Sequence, residues 1–354
     1  MKSAIYTIAL NEVDFVNRWY ESAKDADYLL IADTGSTDGT IERALELGIN
    51  VVDVRVSPWR FEDARNAALA ALPDDIDMCV SLDMDEVITP GWKEILAEAW
   101  ERGVTRPRYK HIWSFNEDGT PGLEFSYDHI HARKGFRWRH PVHECLYAYG
   151  IEEKQEWVEG IETHHRPDPT KSRSQYLPLL ALSVKEDPHN DRNAFYYGRE
   201  LYFYGRYTEA AQELKRHLEL PTAQWPPERA ASMRFIGKSL PAEAEYWFKK
   251  AIEQAPGRRE PFVDLAKLHY QNQNWEESLE MAEAALAITV KPLEYLCEAE
   301  AWGAAPWDYA AIAAYNLGKY FTAQACAQEA VRIEPDNERL QNNLVFCEKA
   351  LSNN

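Results

Sequence analysis

The 354-residue chain nowhere holds the roughly 20 consecutive apolar residues that a membrane-spanning helix needs. Positive charge is also scarce. Lys and Arg number 39 against 58 Asp and Glu, a formal net charge of -19. That balance suits a soluble protein and argues against broad, nonspecific binding to nucleic acid or anionic membranes. Cysteine is sparse, odd in number and scattered: Cys79, Cys145, Cys297, Cys326 and Cys347 show no metal-type spacing. Such a set reads as reduced thiols in a reducing compartment. The opening "MKSAIYTIALNE" has an apolar run too short for a signal-peptide core and no small-residue cleavage pattern. The expected location is therefore cytoplasmic. What the chain does have is 45% hydrophobic and 12% aromatic residues, ample for packed cores. Its length exceeds what one core usually serves, so two domains are expected.

The first 105 residues alternate strand and helix signals. "AIYTIAL", "DYLLIAD", "INVVDVRV" and "DMCVSLD" read as strands. Between them, "EVDFVNRWYESAK", "TDGTIERALELG" and "FEDARNAALAAL" read as helices, and Pro90 opens another, "GWKEILAEAW". Strands separated by single helices imply a parallel α/β sheet. Such sheets bind ligands at the carboxyl ends of their strands, where Asn11, Asp33 and Asp83 fall. Residues 106 to 165 read as antiparallel strands and loops that complete a site rather than found a new core.

From about 171 the sequence is helical and repetitive. Segments beginning at Gly205, Ser239 and Gln273 are 34 residues apart. In that alignment the small residues Ala210, Ala244 and Ser278 share a register, as do Leu214, Phe248 and Ala282. A further unit, "LGKYFTAQACAQEAVRIEP", follows an insertion around "KPLEYLCEAEAWGAAP". The period, the "G-x-Y-x-x-A" pattern and the Pro after the second helix resemble the tetratricopeptide repeat, whose helix pairs stack into a solenoid.

"VSLDMDE", residues 80 to 86, runs an apolar strand into three carboxylates. Charge in such a place needs compensation. "ADTGSTDGT" (32–40) delivers Asp33 to a strand end, with Gly35 and Gly39 free to take positive φ and Ser36, Thr37 and Asp38 able to cap the next helix. Alone it reads as a well-made turn. Together, "TIALNE" (7–12), "ADTGSTDGT" and the D-x-D element Asp83-Met84-Asp85 resemble the family 2 glycosyltransferases of GT-A fold. "WRFEDARNAALA" (59–70) resembles the bacterial subgroup that carries tetratricopeptide repeats. The resemblance implies a GT-A catalytic domain over 1–170, with a Rossmann-like, mostly parallel sheet. An all-α tetratricopeptide-type solenoid would follow over 171–354.

It further implies a metal-dependent, inverting transfer of a hexose from a UDP-sugar. Leaving-group charge on a diphosphate would be stabilised by Mn²⁺ or Mg²⁺, hard ions that favour carboxylate oxygens. By this resemblance Asp85 is the metal ligand, and Asp83 contacts the ribose or the metal through water. Acids one residue apart point to opposite faces of a strand, but at a strand end the chain can turn. Ala9, Asn11, Glu12, Asp33 and Arg65 are expected beside the nucleotide, with Arg65 on the base or diphosphate or bracing Asp83. His164 and His165 are candidates to complete the metal shell. For the base that takes the acceptor proton, Glu144 comes first, Asp128 is in reserve, and His143 is the alternative because imidazole titrates near neutrality. The family's usual Glu-Asp pair is absent. Glu86 reads as an exposed, helix-proximal charge.

The basic stretch "HIHARKGFRWRHP" (129–141) reads first as a β-hairpin with a solvated basic face, and otherwise as an anion site. The acceptor (protein, glycan, lipid or small molecule) is not named by the sequence. The repeats are expected to bind it, a partner chain or a second copy. Three other functions compete. A transferase acting on nucleic-acid bases has only the basic stretch in its favour. A non-catalytic scaffold is disfavoured by the intact Asp33, Asp83 and Asp85. A nucleotidyltransferase would need a Gly-rich phosphate loop where this chain has "LNEVDFVNR".

Overall fold

The computed structural model describes residues 1–116, 118–168 and 175–352. It divides into two compact units, Met1–Ser183 and Val184–Asn354. The boundary expected at 170/171 lies outside the described residues.

The first unit begins with alternating strands and helices: β1 (Ser3–Ala9), α1 (Val13–Ala23), β2 (Tyr28–Asp33), α2 (Thr40–Glu46), β3 (Asn50–Asp53), α3 (Phe61–Ala70) and β4 (Met78–Ser81). The strands β1 and β4 are apolar and buried almost throughout, as strands covered on both faces must be. The remaining elements of this unit are β5 (Glu86–Ile88), α4 (Trp92–Glu101), β6 (Arg106–Ile112), β7 (Glu124–Tyr127), β8 (Ile130–Ala132), β9 (Phe136–Arg139), β10 (Cys145–Ala148) and β11 (Gln155–His165). The helix α5 (Tyr176–Glu186) follows.

The main sheet has the order β3-β2-β1-β4-β8. Its first four strands are parallel, and β8 runs antiparallel to β4. The expected α/β architecture is present. The segment from 106 to 165 departs from expectation in one respect. It contributes to a second sheet, β5-β11-β6-β7, in which β6 and β11 pair in parallel rather than antiparallel. Non-adjacent strands paired in parallel leave no hairpin signal in the sequence.

Glu86 corrects a second expectation. It begins β5, opposite His165 of β11, and is 3% exposed. The basic stretch does not form the expected hairpin by itself: its β8 joins the main sheet, and its β9 pairs with β10, which lies beyond the stretch. Phe136 and Trp138 face inward, Arg137 and Arg139 outward. Arg133 is spent on the carbonyls of Leu72 and Pro73, and His131 lies against the hydroxyl of Tyr6.

The second unit is a succession of helical hairpins, the tetratricopeptide architecture that the 34-residue period implied. Helix α6 (Asp191–Phe203) packs on α7 (Tyr207–Glu219), and α8 (Pro226–Ser239) packs on α9 (Ala244–Gln254). Likewise α10 (Arg259–Gln271) packs on α11 (Trp275–Ala287). The short α12 (Ala299–Trp302) lies in the insertion. Then α13 (Ala305–Asn316) pairs with α14 (Tyr320–Ile333), and α15 (Glu338–Ser352) packs on α14. Ala210, Ala244 and Ser278 are all buried at the helix contacts, as their shared register required. Among the described residues no helix is long and apolar enough to cross a membrane.

Gly237 shows how close these helices run. A methyl group built there would meet the ring of Phe248 at 2.6 Å. In an exposed helix Gly→Ala would stabilise by up to about 1 kcal/mol. Here the sign should reverse, and Gly237→Ala is expected to destabilise the helical unit by about 1–3 kcal/mol through overpacking. Urea unfolding followed by helical circular dichroism checks this, and a raised midpoint would refute it.

Candidate active site

Strands β2 and β3 lie on one side of β1, and β4 crosses to the other. The chain thus reverses direction across the sheet at β1 and β4. Their carboxyl ends form the switch point where open α/β sheets leave a crevice. Ala9 and Asp33 sit side by side at the ends of β1 and β2, and β4 ends just before Asp83.

The first two loops are tied together by side-chain caps. Asn11 adopts φ 56, and its backbone N–H donates to Ser36 Oγ at 2.9 Å. Its side-chain oxygen accepts from Thr37 N at 2.8 Å. Glu12 N donates to Thr40 Oγ1, and Val13 N to Asp38 Oδ2. The turn that follows Asp33 closes on its carboxylate, which accepts from the backbone N–H groups of Gly35 and Ser36. Gly35 has φ 126, and a methyl group there would stand 2.9 Å from the Arg55 guanidinium. The positive φ is what calls for glycine here, since the Arg55 side chain is exposed and its end can move aside.

The acids after β4 are placed by a tight turn. Glu86 N donates to the carbonyl of Asp83 at 2.9 Å, an i to i+3 closure. Helix α1 fixes its entry, because buried Trp19 donates its indole N–H to Leu82 O. The chain then enters β5, and the β5–β11 ladder brings His165 opposite Glu86. His165 Nε2 lies 3.4 Å from Asp85 Oδ2. Its Nδ1 lies 3.1 Å from the carbonyl of Trp113, and its ring stacks on the Trp113 indole at 4.0 Å. A carbonyl only accepts, so Nδ1 donates to it, and Nε2 is the nitrogen that faces Asp85. A carboxylate oxygen and an imidazole nitrogen facing one another, with the far nitrogen oriented by a carbonyl, form a donor set that fits a divalent cation.

His164 is not brought to that place. Alternation along β11 turns it to the other face, where Nε2 lies 3.4 Å from Glu162. Neighbours in a strand point to opposite faces, so His164 and His165 are not brought together beside Asp85.

Arg65, in α3, is 5% exposed and gathers the remaining candidates. It contacts both oxygens of Asp83, at 2.7 and 2.9 Å. Its Nε donates to Glu144, and Nη1 reaches Ser81 Oγ at 3.0 Å. Of the two expectations for Arg65, the observed contacts are those of the brace. His143, at φ 49, lies in the bend before β10 beside the ring of Tyr176. Asp128 stands next to the exit of β4, since Ser81 N donates to His129 O. Its carboxylate is held by Arg106 at 2.7 Å.

Residues 4–149 match the family model described as glycosyl transferase family 2. The match lies within the N-terminal unit, which is similar to the family 2 glycosyl transferases. No curated protein matches the chain. Similar solved structures include MamA, at 14% identity over 46% of this chain and 82% of that one, with TM-score 0.37. Pseudomonas aeruginosa pilF is 19% identical over 47% and 70%, with TM-score 0.38. Glucosyl-3-phosphoglycerate synthase from Mycobacterium tuberculosis, solved with Mn²⁺, UDP-glucose and phosphoglyceric acid, is 26% identical over 31% and 44%, with TM-score 0.27. At these scores they are likenesses only.

The charges of the transferase domain are sorted by burial. Burial pushes Asp83 up, but the Arg65 guanidinium outweighs it and holds the carboxyl below its usual range. Arg65 in turn is held protonated, the two carboxylates overcoming its own burial. Glu86 goes the other way. Burial, then the charges of Asp83 and Asp85, push it well above the carboxylate range. His111, 3.8 Å from Glu86, is pushed down to about 3, chiefly by burial. Beneath the exposed acids the transferase domain therefore keeps a neutral layer.

The late histidine had a legible signal. In "GIETHH", Ile161, Thr163 and His165 share one strand face, and the apolar Ile161 marks that face as inward. Trp113 carried no such signal, because its role depends on a carbonyl. Glu86 was hidden by its neighbours.

The signs of these shifts give a test. Glu86 is raised in the fold, so keeping it ionised opposes folding increasingly as pH rises above its unfolded value, near 4.3. Glu86→Gln is expected to leave the unfolding temperature in metal-free buffer at pH 7 unchanged or higher, with the gain vanishing toward pH 4. Asp83 is depressed, so its contribution is present above about pH 3.9 and is lost as pH falls through its lower folded value. Asp83→Asn should lower the unfolding temperature at pH 7. Equal losses in both variants would overturn this assignment.

Proposed function

We propose that this chain transfers a hexose from a UDP-sugar to an acceptor hydroxyl or other nucleophile, with inversion and with the help of Mn²⁺ or Mg²⁺. The observation that carries the reading is the meeting of Asp85 with Nε2 of His165, at the switch point of the unit that matches the family 2 model. Asp85 and His165 would hold the ion, with Asp83 beside them through water. The ion, when bound, supplies Lewis-acid stabilisation of the diphosphate leaving group.

The chain's own residues do the rest. The loops carrying Ala9, Asn11, Glu12 and Asp33 line the nucleotide side. Asp33 is held rigid by its own turn, so its position is set before the donor arrives. Arg65 keeps Asp83 ionised and aimed. We assign the acceptor proton to Glu144, whose Oε1 is fixed by Arg65. Asp128, clamped by Arg106, and His143 are the alternatives. The hexose and the acceptor are left to the experiment. The repeat unit is assigned to the acceptor, a partner chain or a second copy, because stacked repeats offer extended concave surfaces.

Full-length protein incubated with UDP-glucose and Mn²⁺ should release UDP, and chelation should stop it. Asp85→Ala is expected to lose about 10²-fold or more of that rate with its circular dichroism unchanged. Wild-type rates in Asp85→Ala would end the metal role. Absence of turnover with every common nucleotide-sugar would favour a repeat scaffold, and pyrophosphate release from a nucleoside triphosphate would favour nucleotidyl transfer. For the base, Glu144→Gln should lower kcat by about 10²-fold with little change in donor KM. A variant of wild-type kcat would move the assignment to His143, whose substitution should then abolish the neutral limb of the pH profile.

A further inference from the structure

Within the repeat unit, three side chains from three consecutive helices converge. Asp191 opens α6, His217 lies in the last turn of α7, and Glu228 lies in the first turn of α8. One ligating atom from each lies within 4.8 Å of the others. His217 is fully buried and Glu228 is 5% exposed.

The partners of these groups are specific. His217 Nδ1 lies 2.8 Å from Ser232 Oγ. Its Nε2 is buried, has no hydrogen-bond partner, and lies 3.4 Å from Glu228 Oε1. Tyr295 donates its hydroxyl to the other oxygen of Glu228 at 2.6 Å. A charged imidazole–carboxylate hydrogen bond closes to about 2.7–2.9 Å. Two ligands about 2.0–2.1 Å from a shared tetrahedral ion stand about 3.3 Å apart. The observed separation fits the second arrangement. Ser232 can accept from Nδ1–H, leaving the Nε2 lone pair for the ion, and Tyr295 orients the carboxylate; both are the supports that metal ligands commonly have. Arg192 is the competing cation. It stacks on Tyr196, and its charge also acts on Glu228.

We propose that Asp191, His217 and Glu228 bind one divalent cation of borderline softness, for which zinc is the probe, as a staple joining α6, α7 and α8. One nitrogen and two carboxylates suit Zn²⁺ with a water in the fourth position. The proposal does not rest on the transferase reading.

The test uses the full chain carrying Asp85→Ala, so that the transferase site contributes no ion. After chelator treatment and dialysis against Zn²⁺, elemental analysis should find one zinc per chain. Adding His217→Gln or Asp191→Asn should reduce that to background, with circular dichroism retained. Asp191 is only half buried, so its variant carries the test if His217→Gln fails to fold. Zinc should also raise the unfolding temperature of the parent and leave that of either variant unmoved. Diffraction at the zinc edge should show a peak between His217 Nε2 and Glu228 Oε1. No zinc retained by the parent, or equal zinc in parent and Asp191→Asn, would leave Arg192 as the partner of the acids and overturn the proposal.

Discussion

One buried guanidinium holds the transferase site together. Arg65 arrives on α3, Asp83 at the exit of β4, and Glu144 at the start of the β9–β10 hairpin's second strand. A buried charge left unpaired costs several kcal/mol, and a second partner on the same guanidinium satisfies donors that would otherwise stay empty. Arg65 also lies over the Trp138 ring at 5.1 Å. The hairpin, the helix and the central strand are thereby fixed to one another through a single side chain. The same pairing keeps Asp83 an anion inside the protein.

The turn at Asp83–Glu86 then divides three neighbouring carboxylates among three environments. Asp83 turns toward the guanidinium, Asp85 toward His165, and Glu86 into the second sheet, beside His111. Three anions packed together would repel. Here one is paired with a guanidinium, one faces an imidazole nitrogen, and one is shifted toward its protonated form. That division is what lets a chain with a net charge of -19 concentrate acids at the crevice of the candidate site.

The two units use different means to stay specific. The transferase domain depends on long-range polar ties, such as Trp19 to Leu82 and Trp138 to Tyr6. The repeat unit has such ties too, as from Arg234 to Asp264 and Glu298, but adds a local means, the close approach of helices at small residues such as Ala210, Ala244 and Gly237. Local packing repeats and is therefore written in the sequence as a period. Long-range ties do not repeat, and each must be discovered separately.

This difference explains what the amino-acid order determined alone. Alternating strands and helices, the 34-residue period, and acids at strand ends are properties of neighbouring residues, governed by backbone periodicity and turn chemistry. They were enough to place Asp33, Asp83 and Asp85 at carboxyl ends and to specify an α/β domain before a solenoid. The burial of Glu86, the meeting of His165 with Asp85, and the parallel pairing of β6 with β11 belong to the tertiary structure. Each depends on which distant strand lies alongside. Pairing register is a property of two segments, and no local pattern in either one contains it.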